Sequence, residues 1–458
     1  MRKHAIAAAA GVWVFTFAAG VAGIQGQTPN ATPRVEAPTF SKDVAPILHQ
    51  NCTTCHRPGE IAPMSLLSYK DARPWARAIR DRVAAGTMPP WHADPAYGQF
   101  ANDRRLTDDD RDTVVRWVDA GAPEGDPGDL PATPRYADGW QIGQPDAVFT
   151  MTEDYPVPAG GTVEYKYFQV QTTFTEDKWI RAIESRPGNR TVVHHIIVFA
   201  RDPKAAPKPA ANAQPAPKPP PTFMFAEGMD EPENPQAEAK KKAPLNDRPA
   251  PKQLGAYLGG FAPGQSVRVY APGTAIKLPA GAVLTFQMHY TTNGTAATDR
   301  TKIGVLFADA PPPREVKITA LVNQNFTIPA GATSQRIDAD VTLTRDVTIW
   351  SMLPHTHVRG RRWEYQATYP DGRVETILAV PKYDFNWQTE YVFKEPLKLP
   401  KGTKIHSSAW YDNSANNRSN PDPTADVHWG DQTWEEMQFT AIAFTVDTPA
   451  VPTADIRK

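Results

Sequence analysis

The sequence predicts a multidomain chain in which a small all-α domain is followed by two all-β sandwich domains. Three observations carry that expectation. At 458 residues the chain exceeds one ordinary hydrophobic core, so two to four domains are expected. Apolar residues recur at helical spacing up to Pro127, and after Gly128 short alternating runs take over, punctuated by Pro and Gly. Two similar "strand, Pro, Gly, strand" patterns, at Leu278-Pro279-Ala280-Gly281 and Leu399-Pro400-Lys401-Gly402, point to a pair of sandwiches.

Residues 1–27 carry Arg2 and Lys3, an apolar run from Ala5 to Gly23 and then small residues. This reads as a secretory signal peptide, with an uncleaved anchor as the alternative. No other stretch is long and apolar enough to span a bilayer, so no stable membrane span is expected after cleavage. Lys and Arg number 49 and Asp and Glu 50, a net charge of −1, and nothing in that balance points to nucleic acid. Both cysteines of the chain sit in one short box. An exported chain without spare cysteines forgoes disulfides and relies on core burial.

The expected helical domain spans residues 37–128. Ser41 can cap a helix running through Asp43, Val44, Ile47 and Leu48. Asp71 opens a second, with Trp75, Ala78, Ile79 and Val83 at helical spacing. Thr107 followed by Asp110 is a capping-box pattern ahead of Val114, Val115, Trp117 and Val118, and Gly121 ends that helix. Cys52-Thr53-Thr54-Cys55-His56 is a CxxCH box. Two thiols at that spacing, followed at once by an imidazole, read as covalent haem attachment, with Cys52 and Cys55 as thioethers and His56 as axial ligand. A sixth ligand is usual in electron-transfer haems. Met88, in Thr87-Met88-Pro89-Pro90-Trp91, is the candidate, the prolines fixing the loop behind it. Met64 follows His56 too soon for the chain to wrap to the other haem face. Three short helices around one haem c suit a cytochrome c domain. Haem is attached outside the bacterial cytoplasm, which agrees with export to the periplasm.

The strand-like runs assign residues 140–310 to one β-sandwich and 314–450 to a second, with the boundary near Ala310-Pro311-Pro312-Pro313. Residues 202–251 are rich in Pro, Ala and Lys and are expected to be a disordered insertion without a catalytic role.

His355 and His357 stand two apart in a strand-like run, so both imidazoles share a face and can reach one metal. Met437 offers a soft thioether, which favours Cu(I) over zinc. His194 and His195 are adjacent and would face opposite sides of a regular strand. A shared metal there requires a bulge, a strong twist or a strand end. His289, within Phe286-Gln287-Met288-His289-Tyr290, could complete a three-imidazole site. Taken singly, each has an ordinary alternative: a surface HxH pair, one core and one surface histidine, a methionine as core filler. His49 falls on the first helix. His92, His406 and His428 are read as surface or hydrogen-bonded residues, and Asp412, Asn413 and Asn417 as turn formers.

Thr191-Val192-Val193-His194-His195-Ile196-Ile197, Met288-His289-Tyr290, His355-Thr356-His357 and Glu436-Met437 occur in this order. Together they resemble the copper type II, ascorbate-dependent monooxygenases, the family of peptidylglycine α-hydroxylating and dopamine β-monooxygenases. The resemblance covers roughly residues 140 to 450, and the ordered set is more specific than any one motif. It implies two jelly-roll-like β-sandwich domains with one copper each, facing across a solvent-filled cleft. Carried over, His194, His195 and His289 match the electron-storing copper site. His355, His357 and Met437 match the catalytic site where oxygen and substrate react. The overall arrangement resembles bacterial fusions of a cytochrome c domain to that catalytic pair.

Departures narrow the substrate. The disulfides of the animal enzymes cannot form here. The peptide-amidating branch has an arginine two residues before its HxH and polar anchors two and four residues after its methionine. Leu353, Phe439 and Ala441 stand there instead. A peptidylglycine substrate is therefore not expected, and an uncharged or apolar one is. The expected function is a copper-dependent monooxygenase that hydroxylates an activated C–H of a small organic substrate with O2. Electrons would come singly through the haem from a periplasmic donor. A non-catalytic periplasmic electron-transfer or copper-binding cytochrome c fusion stays open as the alternative, as does a sandwich pair that only binds a partner.

Overall fold

The computed structural model describes residues 36–60, 62–136, 139–204, 224–225, 254–262 and 267–447. The expected signal peptide at 1–27 lies outside the described residues, as does most of the expected insertion at 202–251. Among the described residues no helix is long and apolar enough to cross a membrane. The chain is β-rich, 12% helical and 39% strand.

Four short α-helices, Ala45–Asn51, Tyr69–Ala72, Ala76–Ala84 and Asp108–Asp119, precede residue 120. Their apolar sides meet in a core that includes Phe40, Leu48, Ile79, Val83, Val114 and Trp117. Two expected starts move. The first helical segment begins at Phe40, where the Asp43 carboxylate accepts from the Thr39 backbone N–H at 2.7 Å, and Ser41 is buried inside the turn instead of capping it. The second begins after Ser68, whose Oγ accepts from the Asp71 N–H at 3.2 Å. Pro74 then tightens the chain into a 3-10 turn. The buried stripe becomes Ala72, Ala76, Ile79 and Val83, and Trp75 and Ala78 face outward. Thr107 does cap the last helix, through the Asp110 N–H at 3.1 Å, and Gly121 ends it at φ +93°.

This helical stretch is not self-contained. Trp91, Ala93 and Phe100 belong to the core of the C-terminal sheets, and Phe100 forms an isolated bridge to Phe393. The reason is local: 91–100 has no helical period, and its aromatics pack against Tyr391 and Phe393, at 5.1–5.4 Å between ring centres.

One long sheet runs Ala147–Thr150, Lys302–Phe307, Lys178–Arg186, Thr274–Leu278, Arg314–Asn323, Gln438–Val446, Val347–His355, Tyr391–Leu399. It crosses the expected boundary at 310–313 through a parallel pairing of Thr274–Leu278 with Arg314–Asn323. A two-residue strand, Met224–Phe225, within the expected insertion also pairs with Arg314–Asn323. Two four-stranded sheets face it. One is Lys166–Gln171, Val283–Tyr290, Val193–Arg201, Ala256–Phe261; the other is Gln335–Thr342, Lys404–Tyr411, Gly360–Thr368, Val374–Val380. A core containing Phe168, Ile196, Phe286 and Val305 fills the first half, and one containing Trp363, Tyr365, Tyr391 and Ile442 fills the second. Val283–Tyr290 is buried along its whole length because strands flank it on both sides.

Candidate metal centres

His289 pairs with His195 across the Val283–Tyr290 and Val193–Arg201 strands, and the next pair is Tyr290 with Val193. His194 is therefore the extra residue of a β-bulge. That bulge turns it to the side its neighbour faces, which a regular strand forbids. Nδ1 of His195 lies 3.2 Å from Nδ1 of His194 and 3.2 Å from Nδ1 of His289. Two nitrogens at that separation subtend about 105° at a metal roughly 2.0 Å from each, within the range of imidazole sites. The three side chains together form a group that could hold a metal ion. Tyr165 walls the triad from one side, 5.5 Å from His195 and 5.0 Å from His289.

His355 closes the Val347–His355 strand and His357 follows it, both buried. Each has one nitrogen occupied. His355 Nδ1 donates to Gln388 Oε1 at 2.9 Å, and His357 Nδ1 donates to the Glu435 carbonyl at 3.0 Å. His357 Nε2 is buried with no hydrogen-bond partner. An orphaned ring nitrogen opposite an anchored Nδ1–H is the disposition that an outer partner imposes on a metal-ligating histidine. The strand register sets His355 opposite Phe439. Extended by two residues, it sets Met437 opposite His357, with Met437 and Phe439 on the histidine-bearing face. Met437 is half-buried, and its carbonyl accepts from Tyr411 Oη at 2.8 Å.

Glu436 organises this end of the sheet. Its buried carboxylate accepts from the backbone N–H groups of His357 at 2.8 Å, Arg359 at 2.7 Å and Met437 at 3.2 Å. Arg359, also buried, donates to Asn413 Oδ1 and the Trp434 carbonyl, both at 2.9 Å. Asn413 and Asn417, expected as turn formers, are buried brackets: Asn413 Nδ2 donates to the Pro329 and Ala425 carbonyls and Asn417 Nδ2 to that of Asp412. Gly360 is required by close approach. A Cβ there would stand 1.7 Å from Thr356 Oγ1, so Gly360→Ala is expected to push Thr356, and with it the HxH turn, out of place. Thermal denaturation should show a loss of about 2 kcal/mol or more.

The two histidine sets are neighbours. The ring of Phe385 lies 5.4 Å from His194, 6.4 Å from His289 and 6.1 Å from His357. Where the resemblance implied a solvent-filled cleft, a half-buried aromatic ring stands between the sets. Its loop touches both. Tyr383 Oη donates to the Thr356 carbonyl at 3.0 Å, and Gln388 holds His355. Phe385, Gln388 and Arg359 were not identified from sequence, and Glu436 was noted only as part of the Glu436-Met437 motif, without a role. A lone Phe or Gln in a polar loop carries no periodic signal.

The CxxCH box has a different environment. Cys52 packs against the helical core, and burial pushes its thiol up to about 12. A thiol that basic is a poor nucleophile, which argues against a redox dithiol. Cys55 and Thr54 line a cavity of about 510 Å³. His56 Nδ1 is buried without a hydrogen-bond partner, and burial depresses its basicity. An unpartnered imidazole nitrogen immediately past a pair of free thiols fits a covalently attached cofactor. Met88 is half-buried just past the Ala76–Ala84 helix, its N–H directed at the Arg82 carbonyl. Of the remaining histidines, His49 Nε2 bonds to the Leu67 carbonyl, His406 to Asp340 and His428 to Thr327.

Burial holds the site imidazoles neutral. It lowers His194 to about 4, with Asp384 opposing, and His355 to about 4, with Gln388 opposing. It lowers His289 to about 3, and His194 and His355 add to the depression. Between these values and 6.5 the unfolded chain binds protons that the native protein refuses. Stability is therefore present above pH 6.5 and is lost as pH falls toward 4. Melts of the metal-free protein should show a loss of about 1.4 kcal/mol per pH unit per histidine over that window. A flat profile would contradict the burial of the sets.

No protein-family model matches the sequence, and no curated protein matches it. Among solved structures, the infectious bursal disease virus VP2 subviral particle is 10% identical, with 66% of this chain against 72% of that one and a TM-score of 0.18. PNGF-II is 10% identical over 65% of each chain, with a TM-score of 0.22. Bacillus subtilis oxalate decarboxylase is 8% identical over 70% of this chain and 87% of that one, with a TM-score of 0.14. At such scores the likeness carries no argument.

Proposed function

We propose that the chain is an exported, haem-linked copper monooxygenase that hydroxylates a small organic substrate. The supporting observation is the pair of buried histidine sets, one converging through Nδ1 atoms and the other offering an orphaned Nε2, on either side of one phenyl ring. In this reading His194, His195 and His289 hold an electron-storing copper, and His355, His357 and Met437 hold the copper at which substrate reacts. Cys52, Cys55, His56 and Met88 hold haem c, in a cytochrome c domain ahead of two copper sandwich domains. Bound copper would supply one-electron redox chemistry toward dioxygen. The balanced reaction is R–H + O2 + two electrons + two protons → R–OH + H2O, and a periplasmic donor must supply the electrons.

The chain's own residues account for the rest. Gln388 and the Glu435 carbonyl fix which nitrogen each imidazole presents. Phe439, 6.1 Å from His355, and Phe385 give the site apolar walls that exclude water and suit an uncharged substrate. Leu353 and Ala441 are paired in register on the histidine-bearing face and add no charge. The resemblance of the four ordered motifs to the copper type II, ascorbate-dependent monooxygenases points the same way.

Metal and haem analysis of the purified full-length protein tests the proposal. The expected result is two coppers per haem by elemental mass spectrometry, with reduced haem reoxidised by an oxygen pulse and that reoxidation lost in His355→Ala. Haem without copper after reconstitution would leave an electron-transfer protein and end the monooxygenase reading.

A further inference from the structure

We propose that Thr433, carried by the second half of the molecule, positions His289 of the first, and that the loop 428–437 is thereby the link through which each histidine set senses metal at the other. The inference rests on the metal reading above and adds to it a residue outside both sets. Thr433 Oγ1 lies 3.4 Å from His289 Nε2. His289 faces His195 through Nδ1, at 3.2 Å. With Nδ1 given to a metal, the proton of the neutral ring sits on Nε2, and the Thr433 hydroxyl is its acceptor.

The same loop already holds the other set. Two residues on from Thr433, the Glu435 carbonyl accepts from His357 Nδ1 at 3.0 Å, and the Glu436 carboxylate accepts from the His357 backbone N–H at 2.8 Å. One short loop thus restrains the non-ligating nitrogen of a histidine in each set, and it ends in the Met437 thioether. Such a loop carries a displacement from one end to the other only if it is stiff. Gly430 N–H donates to the Glu436 carbonyl at 3.1 Å, and Glu436 N–H donates to that of His428 at 3.2 Å. Gln432 N–H donates to the Glu435 carboxylate at 2.9 Å, and Glu435 N–H donates to the Gln432 carbonyl at 2.8 Å. Glu435 is buried, and a Cβ at Gly430 would stand 2.1 Å from its carboxylate, so neither end of the turn has room to move alone.

The loop is also seated on the first half independently of Thr433. Gln432 Oε1 accepts from the Tyr165 backbone N–H at 3.3 Å, and the Tyr165 ring lies 5.0 Å from that of His289. Ordering of His289 by a metal therefore orders Thr433 and, through the closed turn, the Glu435 carbonyl and Met437. The effect is an equilibrium linkage, so metal at the second set favours the first by the same factor.

Copper affinities from chelator competition on the full-length protein test the link, with the Cu(II) electron paramagnetic resonance spectrum as a second readout. In a His357→Ala background, which leaves the first set alone, Thr433→Val should weaken copper binding about 10- to 100-fold and shift the copper hyperfine splitting. Thr433→Ser keeps the acceptor and should restore both. Unchanged affinity and spectrum in Thr433→Val would overturn the positioning role, and so would a loss that Thr433→Ser does not restore, since that marks packing alone. His195→Ala isolates the second set. The product of the two wild-type binding constants should exceed the product of the two single-set constants by about 5-fold or more, and Thr433→Val should erase that excess. Equal products would overturn the link. Should Thr433→Val not fold, Thr433→Ala takes its place. A wild type that binds no copper at either set would instead overturn the metal reading itself.

Discussion

On the proposed function, replacing His357 by alanine should lower the copper content from two ions to one and abolish oxygen-dependent product formation. His357 is fully buried, its Nδ1–H is committed to the Glu435 carbonyl, and its Nε2 has no protein partner. Loss of an outer partner such as Gln388 costs about 10- to 100-fold in metal affinity, and loss of the ligand itself should exceed that. The absorption of any attached haem should be unchanged, because Cys52 packs on the helical core and His357 on the far sheet. His406→Ala is the control, since His406 sits at 2.7 Å from Asp340 in a partly exposed pair; its copper content and turnover should match wild type. Elemental mass spectrometry and oxygen uptake read both variants. Two coppers and full turnover in His357→Ala would sink the assignment of this set.

Glu436→Ala should be among the most destabilising single changes in the chain. Three backbone N–H groups converge on the carboxylate, and each hydrogen bond to a charged acceptor contributes about 1.5–3 kcal/mol. Burial pushes Glu436 up to about 7, against those three donors and the nearby Arg359 guanidinium. Truncation leaves three N–H groups orphaned and Arg359 without its counter-charge, so a loss of about 4 kcal/mol is expected. Glu436→Gln keeps one acceptor oxygen in nearly the same volume and should lose less than half of that. Chemical denaturation measures both. Equal stability of the two variants would mean that the carboxylate does not organise the turn.

How much of this was legible in the residues differs by kind of signal. Short-range signals read well where they are self-sufficient. Thr107 with Asp110 caps its helix as expected, because the cap and its donor lie three residues apart. Ser41 failed because the Asp43 and Val44 N–H groups that its hydroxyl would accept are taken by the Thr39 carbonyl, and the helical segment starts at Phe40. Trp75 and Ala78 fell off the apolar stripe because Ala72, Ala76, Ile79 and Val83 already form one regular helical face, and the core covers that face. Within the expected helical domain, Trp91 and Phe100 pack on Tyr391 and Phe393, a cover that nothing within 37–128 announces.

What the sequence determined by itself was the inventory of atoms: two thiols beside an imidazole, adjacent histidines at 194 and 195, an HxH pair and a thioether after two carboxylates. Period-two geometry also made the common face of His355 and His357 readable. Which nitrogen each imidazole presents was decided only by the tertiary structure. The bulge at His194 depends on a partner strand 94 residues away, judged from the His195–His289 pair. The anchoring of His357 depends on Glu435 across 78 residues, and the neighbourhood of the two sets depends on Phe385. A side chain's direction is set by the contacts that restrain it, and contacts closed over such long loops leave no trace in local periodicity.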